Sequence, residues 1–531
     1  MTTLLHDILL QTAAVHPERQ AVVHGEEVIS YHELASLVDA FAAGLINEGL
    51  ERNGRVAVYL PKRKEGVASF YGATRAGGVF VPVNPVLKAE QVMHILRDCN
   101  VQILVTSPDR LIGLEDVLAR CVDLKTIVLV DGEPDGFQQG FPQKLVSWND
   151  LVACELSPYP HEAIDTDMAA IFYTSGSTGN PKGVVLSHRN MVAGCKSVAT
   201  YLANSEKDRL LAVLPFSFDY GFSQLSTAFS VGACVILIDY LFPRDVVQAI
   251  VRYEVTGLAA VPPLWIQLAE LGWPESAARS LRYVTNSGGA MPKATLEKLR
   301  SLLPETQFYL MYGLTEAFRS TYLPPEELDQ RPDSIGKAIP NVQVEVINAE
   351  GEICAPGEPG ELVHRGALVS LGYWNDHEKT AERFRPYPCQ QSELVIPEIA
   401  VWSGDTVTKD EEGYLYFVGR TDDMIKTSGY RVSATEIEEV IYSCGAVAEV
   451  VVIGVPHPVL GQGIVAVAVA VDDAGAIDAA DTIRMACKKA LAGYMVPGHV
   501  EWVDKLPRNP NGKIDRKSMQ NELQDYYRDQ G

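Results

Sequence analysis

The sequence has no clustered cysteines, comparatively little basic charge and no long apolar run, and each scarcity closes off a class of protein. Its nine cysteines are scattered, and the nearest two, Cys99 and Cys121, lie 22 residues apart. Without a Cys-x-x-Cys pair or a Cys/His cluster, a structural zinc site is not expected. The odd, widely spaced set reads as reduced and mostly buried thiols. Basic residues are outnumbered: 45 Lys and Arg against 68 Asp and Glu leave a net charge of −23. That balance argues against a nucleic-acid-binding face or attraction to anionic lipid, since both need basic patches. A locally positive pocket for a small anion remains compatible with it. The most apolar stretch, Gly463 to Val471, is far too short to cross a bilayer. The opening Met1-Thr-Thr-Leu-Leu-His-Asp has no basic lead, and Asp7 breaks its apolar run, so a signal peptide is not expected and the reading is a cytoplasmic protein.

What is present is the composition of a folded chain: 531 residues, 47% apolar and 21% charged. From Arg55 to Gly313, β-branched apolar runs alternate with helical patterns, as in Arg55-Val-Ala-Val-Tyr-Leu, Val101-Gln-Ile-Leu-Val and Ala233-Cys-Val-Ile-Leu-Ile. Runs apolar on both faces suit parallel strands covered by helices, so the fold class is α/β, a large layered body. Between about 334 and 419, short strands separated by Gly, Pro and Asp turns predict a small β-rich subdomain. Residues 421–531 read as a separate small α+β unit, with helices over Thr435–Ser443 and Ala479–Ala492 and strands over Val447–Val455 and Gly463–Val471. The predicted division is a body over 1–420 and a mobile domain over 421–531.

The segment Ile171-Phe-Tyr-Thr-Ser-Gly-Ser-Thr-Gly-Asn-Pro-Lys-Gly-Val-Val-Leu-Ser-His188 is the most informative. An apolar run feeds a loop holding Gly176, Gly179 and Gly183, the hydroxyls of Thr174, Ser175, Ser177 and Thr178, and Lys182, with a helical pattern following near Arg189. Glycines let backbone wrap a phosphate, and N–H groups and hydroxyls donate to its oxygens. A Walker loop does not fit: in a frame starting at Gly176, the second glycine falls on Pro181 and the Ser/Thr on Gly183.

This loop resembles the signature of the adenylate-forming superfamily, which includes acyl-CoA synthetases, nonribosomal adenylation domains and luciferases. Further blocks follow in that family's order: Tyr312-Gly-Leu-Thr-Glu316, Ser403-Gly-Asp405, Gly419-Arg-Thr-Asp-Asp-Met-Ile-Lys-Thr-Ser-Gly-Tyr-Arg-Val432 and Pro507-Arg-Asn-Pro-Asn-Gly-Lys513. Within the superfamily the chain is most similar to exosortase-associated AMP-forming ligases, including Leu214-Pro-Phe-Ser-Phe-Asp-Tyr-Gly221. The resemblance implies two half-reactions: a carboxylate attacks the ATP α-phosphate, then a pantetheine thiol of CoA or a carrier protein displaces AMP. It implies that Thr174 to Lys182 hold the β- and γ-phosphates, Glu316 ligates Mg²⁺, Tyr312 stacks on adenine and Thr315 donates to the α-phosphate. Asp405 would accept the ribose hydroxyls, with Arg420 beside ribose or phosphate. Ser287, Gly288, Gly289, Ala290, Met311, Gly313 and Phe417 fall in the same nucleotide site. Lys513, Glu316 and Thr174 are the implied catalytic residues. Asp422 is the implied hinge, and Lys426 and Gly429 mark a thiolation face.

The acid is to be read from Asp219, Tyr220, Ser223, Thr285, Ser287, Met311 and Arg319. Asp219 lies among apolar and aromatic residues, where a buried carboxylate needs a cationic partner. That partner is a substrate α-ammonium in one reading; in the other, Asp219 faces solvent and caps a helix starting near Tyr220. The first leads to an amino-acid substrate and a carrier protein acting in trans. The alternative is an acyl-CoA synthetase acting on a fatty or other organic acid. Arg319 either pairs with a second carboxylate or braces its loop, and Trp265 reads as core.

Overall fold

The computed structural model describes residues 2–137, 141–154, 161–174, 181–391, 393–420, 424–427, 430–458, 460–471, 476–509 and 512–527, with backbone only at 426, 430, 431 and 476–478. The apolar runs of the body become the strands Arg55–Tyr59, Val101–Thr106, Thr126–Leu129, Cys234–Leu237 and Gly257–Ala260. All five pair in parallel. Burial on both faces explains why they read as continuous rather than alternating apolar segments.

These strands divide between a seven-stranded and a fourteen-stranded sheet. Residues of both sheets join one core with the helices Tyr31–Asn47, Lys64–Arg75, His188–Tyr201 and Asp219–Val231. At its centre Phe222 meets Phe80, Phe70 and Phe172 with ring centroids 4.9, 5.6 and 5.8 Å apart. Such aromatic pairs add about 0.5–1.5 kcal/mol each beyond the area they bury.

Two sequence expectations need refinement. The helical pattern expected near Arg189 begins at His188, but a strand not expected from the sequence, Lys182–Ser187, precedes it and pairs antiparallel with Met168–Thr174. The glycine-rich loop therefore closes a hairpin. The β-rich segment, for its part, continues the larger sheet, since Thr321–Leu323 pairs with Ser334–Ala338, which pairs with Leu415–Arg420.

The C-terminal residues build their own five-stranded sheet. Along Val447–His457 the side chains alternate between two cores. Val450 and Val452 face the helices Ala434–Ser443 and Ala476–Ala490, while Val451 and Ile453 face Leu506 and Met519. Among the described residues no helix is long and apolar enough to cross a membrane.

Candidate functional site

The site is built around a loop joining two antiparallel strands, Gln307–Tyr312 and Thr321–Leu323. Thr315–Ala317 forms one 3₁₀ turn, and then Phe318 takes φ +54° and ψ −47°. The Arg319 N–H reaches back to the Ala317 carbonyl at 2.6 Å. This is a γ-turn of the strained, positive-φ kind, held by burying the Phe318 ring completely. It sends three neighbouring side chains to three different tasks.

Thr315 and Arg319 both turn to Asp219. The Arg319 guanidinium lies 2.8 Å from one Asp219 oxygen, and the Thr315 hydroxyl donates to the other at 3.1 Å. Arg319 also donates to the Ser223 hydroxyl at 2.9 Å and lies over the Tyr220 ring. Arg319 and Asp219 are each 3% exposed, so this is a buried pair with its hydrogen bonds largely satisfied. Asp219 is thus not a solvent-facing cap: it is the first residue of Asp219–Val231, with Phe218 at the N-cap, and its cationic partner is Arg319. Tyr220 shares a hydrogen bond with Thr285, and Ser287 is buried at the end of Tyr283–Asn286. Met311 receives the Tyr201 hydroxyl on its sulfur at 3.0 Å. Trp265 is core, donating to the carbonyls of Ala260 and Thr285.

Glu316 takes a different partner. The Tyr373 hydroxyl donates to its Oε1 at 2.5 Å. Lys182, at the start of the hairpin's second strand, has its ammonium 5.7 Å from the same tyrosine ring and 3.9 Å from Asp376. Thr174 pairs across the hairpin with Lys182. Tyr373 therefore bridges the phosphate-loop lysine and the metal-ligand candidate. Sequence reasoning missed it, and the only local signal was a Gly-Tyr-Trp turn after an apolar stretch. Ser175, Gly176, Ser177, Thr178 and Gly179 lie outside the described residues, as do Asp422, Gly429 and the Lys426 side chain.

Asp405 and Arg420 are cross-strand partners, and the guanidinium Nε sits 3.0 Å from the carboxylate. Tyr312 donates its hydroxyl to the other Asp405 oxygen. Its ring lies 6.4 Å from that of Phe417. Burial and the Asp405 charge push the Tyr312 phenol well above its ordinary range, so it remains a donor. Each carboxylate oxygen has two lone pairs, so acceptance of a diol is not closed off.

Lys513 reaches this site from the C-terminal sheet's unit. Its ammonium lies 5.3 Å from the Phe218 ring, and its Cε is 3.4 Å from where a Cβ on Gly288 would stand. Gly288 has φ +83°, so glycine here both permits the turn and leaves room for the lysine. Desolvation lowers the Lys513 pKa, and Arg420 lowers it further. Asp219, Glu316 and Asp405 oppose that shift. One cation thus stands in the field of three carboxylates from distant parts of the sequence, Asp219, Glu316 and Asp405. Gly313 packs on the Arg319 backbone, and Gly289 and Ala290 lie exposed beyond Gly288.

The carboxylate and hydroxyl oxygens here suit Mg²⁺, which prefers oxygen ligands. The Asp405–Arg420 ion pair beside the Tyr312 and Phe417 rings suits a nucleotide.

Comparison with known proteins agrees with this geometry. The AMP-binding enzyme family matches residues 9–374, and the AMP-binding enzyme C-terminal domain matches 436–513. A long-chain-fatty-acid–CoA ligase of Bacillus subtilis is 28% identical over 548 residues, covering 97% of this chain and 94% of that protein. Bacitracin synthase 3 of Bacillus licheniformis is 28% identical over 517 residues. That match covers 97% of this chain, which spans only 8% of the synthase. Among solved structures, ATP-bound MatB from Rhodopseudomonas palustris superposes with TM-score 0.87 at 26% identity, covering 99% of this chain and all of that one. O-succinylbenzoate CoA synthetase from Bacillus subtilis, with ATP and magnesium ion, gives 0.79 at 26%, covering 98% and 99%. The chain belongs to the AMP-binding enzyme family and is an AMP-forming ligase.

Proposed function

We propose that this family member joins a carboxylic acid to a pantetheine thiol in two half-reactions at one site. In the first, the acid's carboxylate attacks the α-phosphorus of ATP, forming the acyl-adenylate and releasing pyrophosphate. In the second, the thiol sulfur attacks the acyl carbon and AMP leaves. What supports this reading best is Lys513, whose ammonium lies 5.3 Å from the Phe218 ring and beside Gly288, in the field of Asp219, Glu316 and Asp405. A preorganised ammonium there meets negative charge as it builds on the α-phosphate, in chemistry governed by positioning and electrostatics. Asp405 and Arg420 take the ribose, and Tyr312 and Phe417 flank the adenine. Thr174 and Lys182 hold the outer phosphates, and Thr315 reaches the α-phosphate. Bound Mg²⁺ supplies charge neutralisation, and Glu316, oriented by Tyr373, is the side chain that would hold it.

The acid is read from Asp219. Its charge is already matched by Arg319 at 2.8 Å, so the electrostatic case for a substrate α-ammonium is weakened. The reading supported best is an organic acid passed to CoA. An amino acid passed to a carrier protein is the second reading. It draws on the buried position of Asp219 and on the match to a bacitracin synthase. Acid-dependent ATP–pyrophosphate exchange, screened over fatty, aryl and amino acids, tests both, followed by thioester formation with CoA or a phosphopantetheinyl carrier. Exchange with an amino acid alone would reverse the order, and exchange with no acid would sink the reaction.

A further inference from the structure

The hairpin of Met168–Thr174 and Lys182–Ser187 carries the glycine-rich loop, and its last ladder pair is Thr174 with Lys182. Both ends of the loop are gripped at that level by one helix, Ala89–Asp98. On one side the Tyr173 hydroxyl donates to the Asp98 carboxylate at 2.6 Å. On the other, the His94 Nε2–H donates to the Pro181 carbonyl at 3.1 Å. Proline has no N–H, so at residue 181 the carbonyl is the only backbone group by which the chain can be held. His94 and Asp98 are four residues apart and therefore lie on one face of the helix. Between the two grips, the His94 and Tyr173 rings stand edge to face with centroids 6.4 Å apart. Burial fixes the helix to the hairpin, since Val92, Met93, Ile95 and Leu96 share a core with Ile171, Tyr173 and Val185. The end of the same helix also reaches the segment that orients Glu316. The Trp374 indole N–H donates to the Asp98 carbonyl at 2.9 Å, and the Trp374 backbone N–H donates to the Gly183 carbonyl at 2.7 Å. Its neighbour Tyr373 is the residue that donates to Glu316.

We propose that His94 and Asp98 are positioning residues: together they form a bracket that sets both ends of the phosphate loop and, through Trp374 and Tyr373, the place of Glu316 relative to it. That role rests on the reading above, in which the loop holds the β- and γ-phosphates of ATP. A loop whose ends are fixed before ATP arrives loses less conformational entropy when it closes on the outer phosphates, so the bracket shows as affinity for ATP. AMP and the acyl-adenylate carry neither outer phosphate, and their binding does not draw on it.

His94→Ala removes one grip. It should raise the KM for ATP in pyrophosphate release by about three- to tenfold, the effect of one hydrogen bond, with the KM for the acid unchanged. His94→Gln, whose side-chain amide can donate to the same carbonyl, should recover most of that loss. Tyr173→Phe removes the other grip and should raise the KM for ATP to a similar extent. Calorimetry with AMP and with ATP plus Mg²⁺ reads the bracket without turnover: His94→Ala should weaken ATP by the same factor and leave AMP as it was. Thioester formation from supplied acyl-adenylate should keep its wild-type rate, which reports an intact fold. Equal weakening of AMP and ATP, an unchanged ATP affinity, or a glutamine no better than alanine overturns the bracket. Wild-type protein that releases no pyrophosphate with any acid refutes the two-half-reaction reading instead, and the calorimetric comparison of ATP with AMP still decides the bracket.

Discussion

Desolvation lowers the Lys513 pKa, and Asp219, Glu316 and Asp405 oppose it. Replacing Lys513 by alanine should lower pyrophosphate release by about 10²–10³-fold, as loss of one preorganised charge does elsewhere. Thioester formation from supplied acyl-adenylate should persist. Adenylation by Lys513→Ala at a rate near wild type would remove the lysine from the chemistry. Its lowered pKa sets a further expectation. The ammonium loses its proton at a lower pH than a free lysine, so adenylation should decline on the alkaline side before about pH 10.5. A pH–rate profile flat to that point would contradict the geometry. Tyr373 offers a separate test through Glu316. Tyr373→Phe removes one hydrogen bond to a carboxylate and should raise the Mg²⁺ concentration for half-maximal pyrophosphate release by about three- to tenfold, with excess Mg²⁺ restoring the rate. An unchanged Mg²⁺ titration would dissociate Tyr373 from the metal. Asp219→Ala, by contrast, leaves Arg319 buried without its partner and should cost about 3–5 kcal/mol in a denaturant melt.

The elements differ in how far their sequence announced them. Val101–Thr106 and Gly257–Ala260 were legible because strands buried on both faces cannot alternate. The Ala434–Ser443 helix was legible from the spacing of Ile437 and Ile441, both fully buried. Lys182–Ser187 was not, since three apolar residues after a glycine loop suit a short strand and a helix start equally. The turn at Phe318 was hidden for a different reason: nothing in a phenylalanine announces positive φ, and tertiary burial of its ring imposes it. Nor could local pattern pair Asp219 with Arg319 across a separation of 100 residues. Motif order located Lys513, Glu316 and Asp405, and packing alone revealed Tyr373 and Phe218 beside them. Gly288 tests this level directly. Gly288→Ala forces an L side chain into φ +83° and places its Cβ 3.4 Å from the Lys513 Cε and from Val261. Left-handed backbone costs an alanine about 1–2 kcal/mol, so adenylation should drop by roughly tenfold. The supplied-adenylate half-reaction should suffer less, and an equal fall in both would mean that the turn matters only to the fold.

Across the whole molecule, stability should respond to acid through buried histidines as well as through carboxylates. Burial lowers His6 to about 3, His188 to about 4 and His364 to about 3. His6 and His188 touch edge to face, 5.9 Å between ring centroids, and His188 adds to the lowering of His6, while Asp167 and Asp165 oppose the burial that lowers His188. The unfolded chain protonates its histidines near pH 6.5 while the folded chain keeps these three neutral. Below pH 6.5 the unfolded state therefore binds more protons, and each histidine removes up to about 1.4 kcal/mol of stability per pH unit until its folded value is reached. Above pH 6.5 this contribution is absent. Carboxylates stabilised by partners, such as Asp208 beside Arg282, add their own loss at lower pH. Relaxation of the −23 net charge works the other way, easing self-repulsion as acid is added. The histidine contribution is read most directly from His6→Leu, because among the described residues the His6 Nδ1 has no hydrogen-bond partner to lose and its Nε2 comes only within 3.8 Å of Asp7. The stability of the variant relative to the parent should rise steadily as the pH falls from 6.5 to 4 and stay constant above 6.5. A difference independent of pH would mean that His6 acts by packing alone.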